Sequence, residues 1–291
     1  MVNRDGARDS EYRPVGGPLY HYTSLDALLG ILKHKTLWAT SVHYLNDASE
    51  TELGLQLMRE LVSRELINAE GIHKEFLAFL TPWLEVDLLR SPSVYVLCFS
   101  ETRNDLSQWR GYTPHGRGVC LGINVHLLVN RMQKHGWQFQ NVRYRQDSQL
   151  AFANAILTRM RREASAEHSS DTRDKHFASV IQGALPDLLQ VAAMIKHPSF
   201  HSEQETRFMS PPIAPGDPRI CFRSGRSTLI PYVQFELVDN QNDPLQLSEI
   251  LIGPSPSDRL TQAAVLNLVQ QHGTAIDPSR ITLSNIPYRE L

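Results

Sequence analysis

Apolar runs of strand length occur near both ends of the chain and frame a long middle stretch with helical periodicity. Residues 19–22 predict a short strand, and leucines at helical spacing from 25 to 32 predict the helix that follows it. The β-branched run 94–100 and the run 118–123 predict buried strands, and the two glycines of the latter predict a close backbone approach. The remaining predicted strands are 36–40, 203–209, 228–238, 250–252 and 281–284.

Helical periodicity dominates 147–196, where a charged, Ser-rich connection at 163–175 separates two apolar stripes and Pro186 predicts a kink. Other helices are predicted from about residue 49, at 67–90 and at 257–271, the last one ending at Gly273, and 103–118 is predicted to be a polar loop.

Strands at both ends around a helical middle predict an α+β fold with one mixed, mostly antiparallel sheet. We expect a single domain over 18–291 with a mainly helical insertion at 126–199. Residues 1–17 are polar and end in Gly-Gly, so they are predicted to form a flexible arm.

Composition excludes several classes of protein. The 291 residues carry 29 Lys and Arg against 31 Asp and Glu, so the net charge of -2 gives no global field that would attract nucleic acid or an anionic membrane. Three widely spaced cysteines argue against a disulfide scaffold and predict a cytoplasmic location. Neither an apolar run of about 18 residues nor a signal-peptide pattern is present, so we expect no membrane association.

Common catalytic motifs are absent. The sequence contains no phosphate-binding glycine motif, no H-E-x-x-H or C-x-x-C zinc pattern and no G-x-S-x-G nucleophile motif, and no metal site is predicted. Cys98, Cys120 and Cys221 are interpreted as core thiols, since apolar surroundings raise the pKa of a thiol and make it unreactive.

Three polar clusters are candidates for chemistry: residues 21–23, 107–112 and 200–207. If 203–209 is a strand, Glu203 and Glu205 point to one face. They then form either an exposed edge strand with Glu–Arg pairing or a carboxylate site that binds ribose hydroxyls and stabilises an oxocarbenium-like cation. Taken alone, His21 is typical of a structural histidine, and Trp109 and Tyr112 of core aromatics.

Several motifs carry a resemblance to a known family. LYHYTSLDALLGILKHKTLWAT, YVLCFSETRNDLSQWRGY, GRGVCLGI and IKHPSFHSEQETRF, with further matches up to the C-terminus, resemble the bacterial domain-of-unknown-function 2971 family over about 18–291. More distantly, the first motif and the E-x-E pair are similar to ADP-ribosyltransferases, whose motif residues are His or Arg, then Tyr or Ser, then Glu. The resemblance matches His21 to the first position and Glu205 to the last. Tyr112, Trp109 and Ser107 are alternatives for the middle position, and Tyr44 is a weaker one.

The second resemblance implies a split sheet of ADP-ribosyltransferase type and roles for the matched residues. His21, with Tyr22 and Thr23, would bind the adenosine ribose of NAD, and an aromatic of the 107–112 cluster would stack on nicotinamide. Glu205 would stabilise the oxocarbenium-like transition state and Glu203 would orient the acceptor. The arginines that could hold the pyrophosphate are Arg117, Arg223 and Arg226.

The resemblance therefore predicts an NAD-dependent ADP-ribosyltransferase or NAD glycohydrolase, with NAD as substrate and an unknown protein or nucleic acid as acceptor. It also suggests a toxin or phage-defence effector. Two alternatives remain open: a non-catalytic module that binds a nucleotide or a partner, and a metal-dependent nuclease that uses Glu203, Glu205 and Asp47. The oligomeric state is not predicted.

Overall fold

The computed structural model describes residues 17–45, 48–85, 92–113, 117–166, 170–225 and 227–287. The predicted arm at 1–17 therefore lies outside the described residues except for Gly17.

Strands and helices alternate along most of the chain. The strands are β1 (Pro18–Ser24), β2 (Thr36–Ser41), β3 (Tyr95–Ser100), β4 (Gly118–Asn124), β5 (Gln138–Asn141), β6 (Glu205–Met209), β7 (Cys221–Ser224), β8 (Leu229–Glu236), β9 (Glu249–Ile252) and β10 (Ile281–Leu283). The helices are α1 (Leu25–His34), α2 (Ala48–Asn68), α3 (Gly71–Leu84), α4 (Leu106–Tyr112), α5 (Val125–Lys134), α6 (Gln146–Ala164), α7 (Ser170–Met194) and α8 (Asp258–Gln271). Short 3₁₀ helices span Val42–Tyr44, Pro198–Glu203 and Pro278–Arg280.

The sheet branches at β3. Its strand order is β10-β9-β4-β1-β3-β2-β8-β7, and β6, which carries β5 on its far side, pairs with the other edge of β3. β1 joins β3 at Ser100, whereas β2 joins the same edge at Tyr95 and Val96, so β1 and β2 part from each other along β3. The β9–β10 pair is parallel and the other strand pairs are antiparallel, which confirms the mixed, mostly antiparallel α+β fold.

Two large hydrophobic cores stabilise the fold. One face of the sheet packs against α1, α5 and α8, with Leu97 and Phe99 pointing into this core. The second core lies between α2, α3, α6 and α7. A smaller cluster joins them, because Val96 of β3 and Met209 of β6 pack against Leu189 and Met194 of α7. Both faces of β3 are consequently buried.

α7 is long and apolar enough, by length and composition, to cross a membrane over Thr172–Met194. A core helix meets the same criterion. About 61% of that window is buried, and α7 packs against α2, α3 and α6.

The structure confirms most predicted strands and corrects several boundaries. The helix predicted at 67–90 is described as α3, over Gly71–Leu84, and the predicted loop at 103–118 contains α4. The carboxylate of Asp105 caps α4 by accepting from the amides of Ser107 (2.8 Å) and Gln108 (3.2 Å). α4 was missed because its seven residues are too few to repeat an apolar stripe.

The mainly helical middle of the chain also contributes a strand to the sheet. β5 lies within 126–199 and joins the sheet through β6, while α2 and α3, which precede that range, pack in the same core as α6 and α7. Pro186 lies inside α7, which runs unbroken from Ser170 to Met194.

The predicted close approach at the two glycines of β4 is confirmed. A Cβ at Gly118 would lie 2.3 Å from the carbonyl oxygen of Thr23, and one at Gly122 would lie 2.7 Å from Cγ of Glu249. Gly273, predicted to end α8, has a φ of 60°, as a C-terminal cap requires.

Candidate functional site

Four charged side chains meet in the protein interior where α7, the 3₁₀ helix at 198–203 and β6 join. Nζ of Lys196 lies 2.8 Å from Oε2 of Glu203 and 3.1 Å from Oε2 of Glu205. The guanidinium of Arg207 binds Glu205 in a two-pronged fashion, with Nε 2.7 Å from Oε1 and Nη2 3.0 Å from Oε2. Among the described residues, two carboxylates thus face two cations.

Local sequence explains how the two glutamates meet. Pro198 begins the 3₁₀ helix, and Gln204 ends it in the left-handed region with a φ of 42°. β6 therefore begins at Glu205, two residues later than the predicted strand 203–209. The glutamates converge because this turn folds the chain back over Lys196, rather than because they alternate along one strand.

β6 is not the exposed edge strand that one interpretation of the Glu pair required. It lies between β3 and β5, and Glu205 is only 4% exposed. The predicted Glu–Arg pairing is present as the buried contact between Glu205 and Arg207.

The electrostatics of Glu205 are dominated by its two cations. Burial alone would raise the pKa of this carboxyl, but the charges of Arg207 and Lys196 outweigh burial and hold the pKa at about 2. The thiol of Cys98 also hydrogen-bonds to Glu205, and the amide of Glu205 donates to Oη of Tyr144 (2.9 Å). Glu205 is thus ionised at neutral pH and tightly held.

Tyr112 connects α4 to this cluster by donating from Oη to Oε2 of Glu203 (3.3 Å). Burial, followed by the charge of Glu205, raises the pKa of the Tyr112 phenol, so the phenol stays protonated and remains a donor. Trp109 is fully buried. Its Nε1 donates to Oδ1 of Asn104 (2.8 Å), and its ring packs edge-on against Tyr22. Tyr112, which is half-buried, is therefore the better placed of these two aromatics to stack on a ligand.

His21 lies on β1 at the place where β1 and β2 part. Its Nδ1 is 3.1 Å from the carbonyl oxygen of Cys98 and its ring packs on Phe99. A carbonyl can only accept, so Nδ1 carries the proton. Burial lowers the pKa of His21, so the ring is neutral at pH 7 and Nε2 is an acceptor.

β3 is the strand that separates His21 from the glutamates. Strands lie about 4.8 Å apart in a sheet, so β1 and β6 are separated by about 10 Å across β3. Alternation places His21 on the Phe99 face and Glu205 on the opposite face. Cys98 joins them, because its carbonyl contacts His21 and its thiol contacts Glu205.

The remaining predicted residues fall into three groups. Tyr22 and Thr23 are buried, and Oη of Tyr22 donates to the carbonyl of Thr102 (2.7 Å). Ser107 donates to the carboxylate of Asp105 at the start of α4. Arg117 is exposed before β4, Arg223 lies on β7 with β8 and β2 between it and β3, and Arg226 is outside the described residues.

Within the described part of the chain, no group of three or more His, Cys, Asp or Glu side chains is arranged to hold a metal ion. Asp47, the third residue of the nuclease alternative, is not among the described residues. The Glu pair itself is occupied by Lys196 and Arg207.

Sequence reasoning missed Lys196 and Tyr144. A signal for Lys196 was present, because it is a single lysine directly after the apolar run 191–195 that ends α7. A charged residue that closes a buried run requires an internal partner, and the E-x-E pair lies only seven and nine residues further on.

Comparison with known proteins tests the family resemblance. Residues 108–208 match the family model described as Protein of unknown function (DUF2971). The match supports the DUF2971 resemblance over about a third of the chain, from within α4 into β6, so it includes Tyr112, Lys196, the two glutamates and Arg207. His21 lies outside the matched range. No curated protein and no solved structure matches this chain.

Proposed function

We propose that this chain consumes NAD by breaking the bond between nicotinamide and ribose, and passes ADP-ribose to an acceptor or to water. The observation that carries the proposal is that His21, Tyr112, Glu203 and Glu205, selected from sequence in separate segments, are joined through Cys98 and Lys196 in one continuous network of contacts.

The proposed reaction places specific demands on these groups. The bond electrons leave with nicotinamide, an oxocarbenium-like cation develops on the ribose, and the acceptor or water attacks that carbon and loses a proton. A carboxylate of the Glu pair supplies the negative charge that stabilises the cation. Across β3, on the opposite face of the sheet, the neutral ring of His21 offers Nε2 to a hydroxyl of the adenosine ribose. Tyr112, beside the Glu pair, offers an aromatic surface to the planar nicotinamide.

The test is release of nicotinamide when the purified protein is incubated with NAD, alone and with protein or nucleic-acid acceptors. We expect the wild-type protein to release nicotinamide, and His21→Ala to raise KM because it removes a hydroxyl acceptor. Absence of release under all of these conditions would refute the proposal.

A second candidate function, binding a nucleotide without turnover, is favoured by one observation. Both oxygens of Glu205 are already engaged by Arg207 and Lys196, as in a structural ion cluster. Calorimetry that detects NAD binding, together with no nicotinamide release, would support this alternative over the enzyme.

A further inference from the structure

The two glutamates differ in how much of each carboxylate is available. Oε1 of Glu205 accepts from Arg207, Oε2 accepts from both Arg207 and Lys196, and the side chain is 4% exposed. A ribose hydroxyl could reach these oxygens only by displacing a buried cation, which breaks a charge-assisted hydrogen bond. Glu205 is therefore better placed to hold Lys196 and Arg207 in position than to contact a ligand.

Glu203 has one carboxylate oxygen to which no described residue donates a hydrogen bond. The two hydrogen bonds that it accepts within the described residues, from Lys196 (2.8 Å) and Tyr112 (3.3 Å), both fall on Oε2. Oε1 is not fully buried, so it keeps contact with solvent. The Glu203 side chain as a whole is 11% exposed. The other oxygen of the same carboxylate, Oε2, accepts from Tyr112, which is half-buried.

Glu203 is also held rigidly. Its carbonyl accepts from Oγ of Ser100 (2.7 Å), which ties the end of the 3₁₀ helix to β3. The ammonium of Lys196 holds the Glu203 carboxylate by a hydrogen bond. Lys196 is itself held by Glu205 and by the ring of Phe200, whose centroid lies 4.9 Å from Nζ. A carboxylate held in this way is preorganised for a developing positive charge.

We infer that Glu203, and not Glu205, is the carboxylate that contacts the nicotinamide ribose of NAD, and that it does so through Oε1. Lys196 is its positioning residue, and the Glu205–Arg207 ion pair holds Lys196 in place. This assignment rests on the proposed function and reverses the roles that the family resemblance implied for the two glutamates.

The experiment compares nicotinamide release and thermal unfolding for Glu203→Gln, Glu205→Gln and the control Glu236→Gln, which changes an exposed carboxylate on β8. Glu203→Gln is expected to lower kcat by about 10²- to 10³-fold, as losing one group that stabilises transition-state charge does. Its KM is expected to stay close to that of the control. Its melting temperature is expected to fall, because the change removes one partner of the buried Lys196–Glu203 ion pair, so kcat is compared at a temperature where circular dichroism shows each variant folded. Glu205→Gln is expected to lower the melting temperature strongly and, at a temperature where circular dichroism shows it folded, to lose less kcat than Glu203→Gln.

Lys196 provides a second test that a purely structural role would not pass. Lys196→Arg keeps the cation and should retain part of the kcat that Lys196→Met loses, with KM little changed in both when each is assayed below its unfolding transition. Equal kcat for the two variants would contradict a positioning role.

The outcomes separate the inference from the proposed function. Wild-type release of nicotinamide that survives Glu203→Gln but is abolished by a folded Glu205→Gln would overturn the inference and leave the function standing. If Glu205→Gln does not fold, the kcat of Glu203→Gln alone decides the inference. Absence of release by the wild-type protein would overturn both.

Discussion

Replacing Lys196 with methionine removes the shared cation of Glu203 and Glu205 and keeps most of the side chain's length. All three side chains are close to fully buried, at 3%, 11% and 4% exposure, so solvent screens the remaining charges very little. Removing one partner of a buried ion pair costs about 3–5 kcal/mol. Because Arg207 still compensates Glu205, we expect a loss near the lower end, about 3 kcal/mol in the free energy of unfolding.

Urea unfolding followed by circular dichroism measures this loss, and Lys134→Met is the matched control. Nζ of Lys134 lies 2.8 Å from Asp239, the same distance as that between Lys196 and Glu203, but both partners are more than half exposed. Solvent and side-chain entropy cancel most of the value of such a pair, so the control should unfold like the wild-type protein. Equal unfolding midpoints for the two variants, or a loss below about 1 kcal/mol for Lys196→Met, would refute the buried-cluster account.

Three further outcomes follow from the structure. Glu205 has a folded-state pKa of about 2 against an ordinary 4.5, so it stabilises the fold above about pH 4.5, and the stability difference between wild type and Glu205→Gln in urea titrations should shrink as the pH falls toward 2. Gly54→Ala should cost about 1–3 kcal/mol of unfolding free energy, since its Cβ would lie 2.5 Å from a carbonyl oxygen of α7, whereas Gly30→Ala, which meets nothing within 4 Å, should gain up to about 1 kcal/mol; equal values would contradict this. Cys120 is fully buried and its pKa is raised by burial, so mass spectrometry should show it alkylated more slowly at pH 8 than the two half-buried cysteines.

The fold was predictable from sequence where one short segment carries its own signal. β3 and β4 were found because their apolar runs are buried on both faces, and the Cβ clearances at Gly118 and Gly122 match the close approach that those glycines indicated. β5 was missed because Gln138–Asn141 is mostly polar, and the strand exists through its pairing with β6. That pairing depends on residues about 65 positions away, which a local pattern does not contain.

The site was predictable in its residue types but not in its connections. The E-x-E pair was recognised as chemically unusual, yet its meeting point is Lys196, whose distance to each carboxylate is set by the turn at Gln204. Arg223 was selected because arginine suits a pyrophosphate, but the sheet order places it on β7, at the end of the sheet. The sequence shows which side chains are charged, whereas the fold decides which of them lie close together.

The most direct test of the proposed function is the release of nicotinamide from NAD by the purified wild-type protein, measured beside Glu203→Gln and Glu236→Gln. We predict release by the wild-type protein and by Glu236→Gln, and its loss in Glu203→Gln at a temperature where circular dichroism shows all three proteins folded. A folded wild-type protein that leaves NAD intact, with and without protein or nucleic-acid acceptors, would contradict the account.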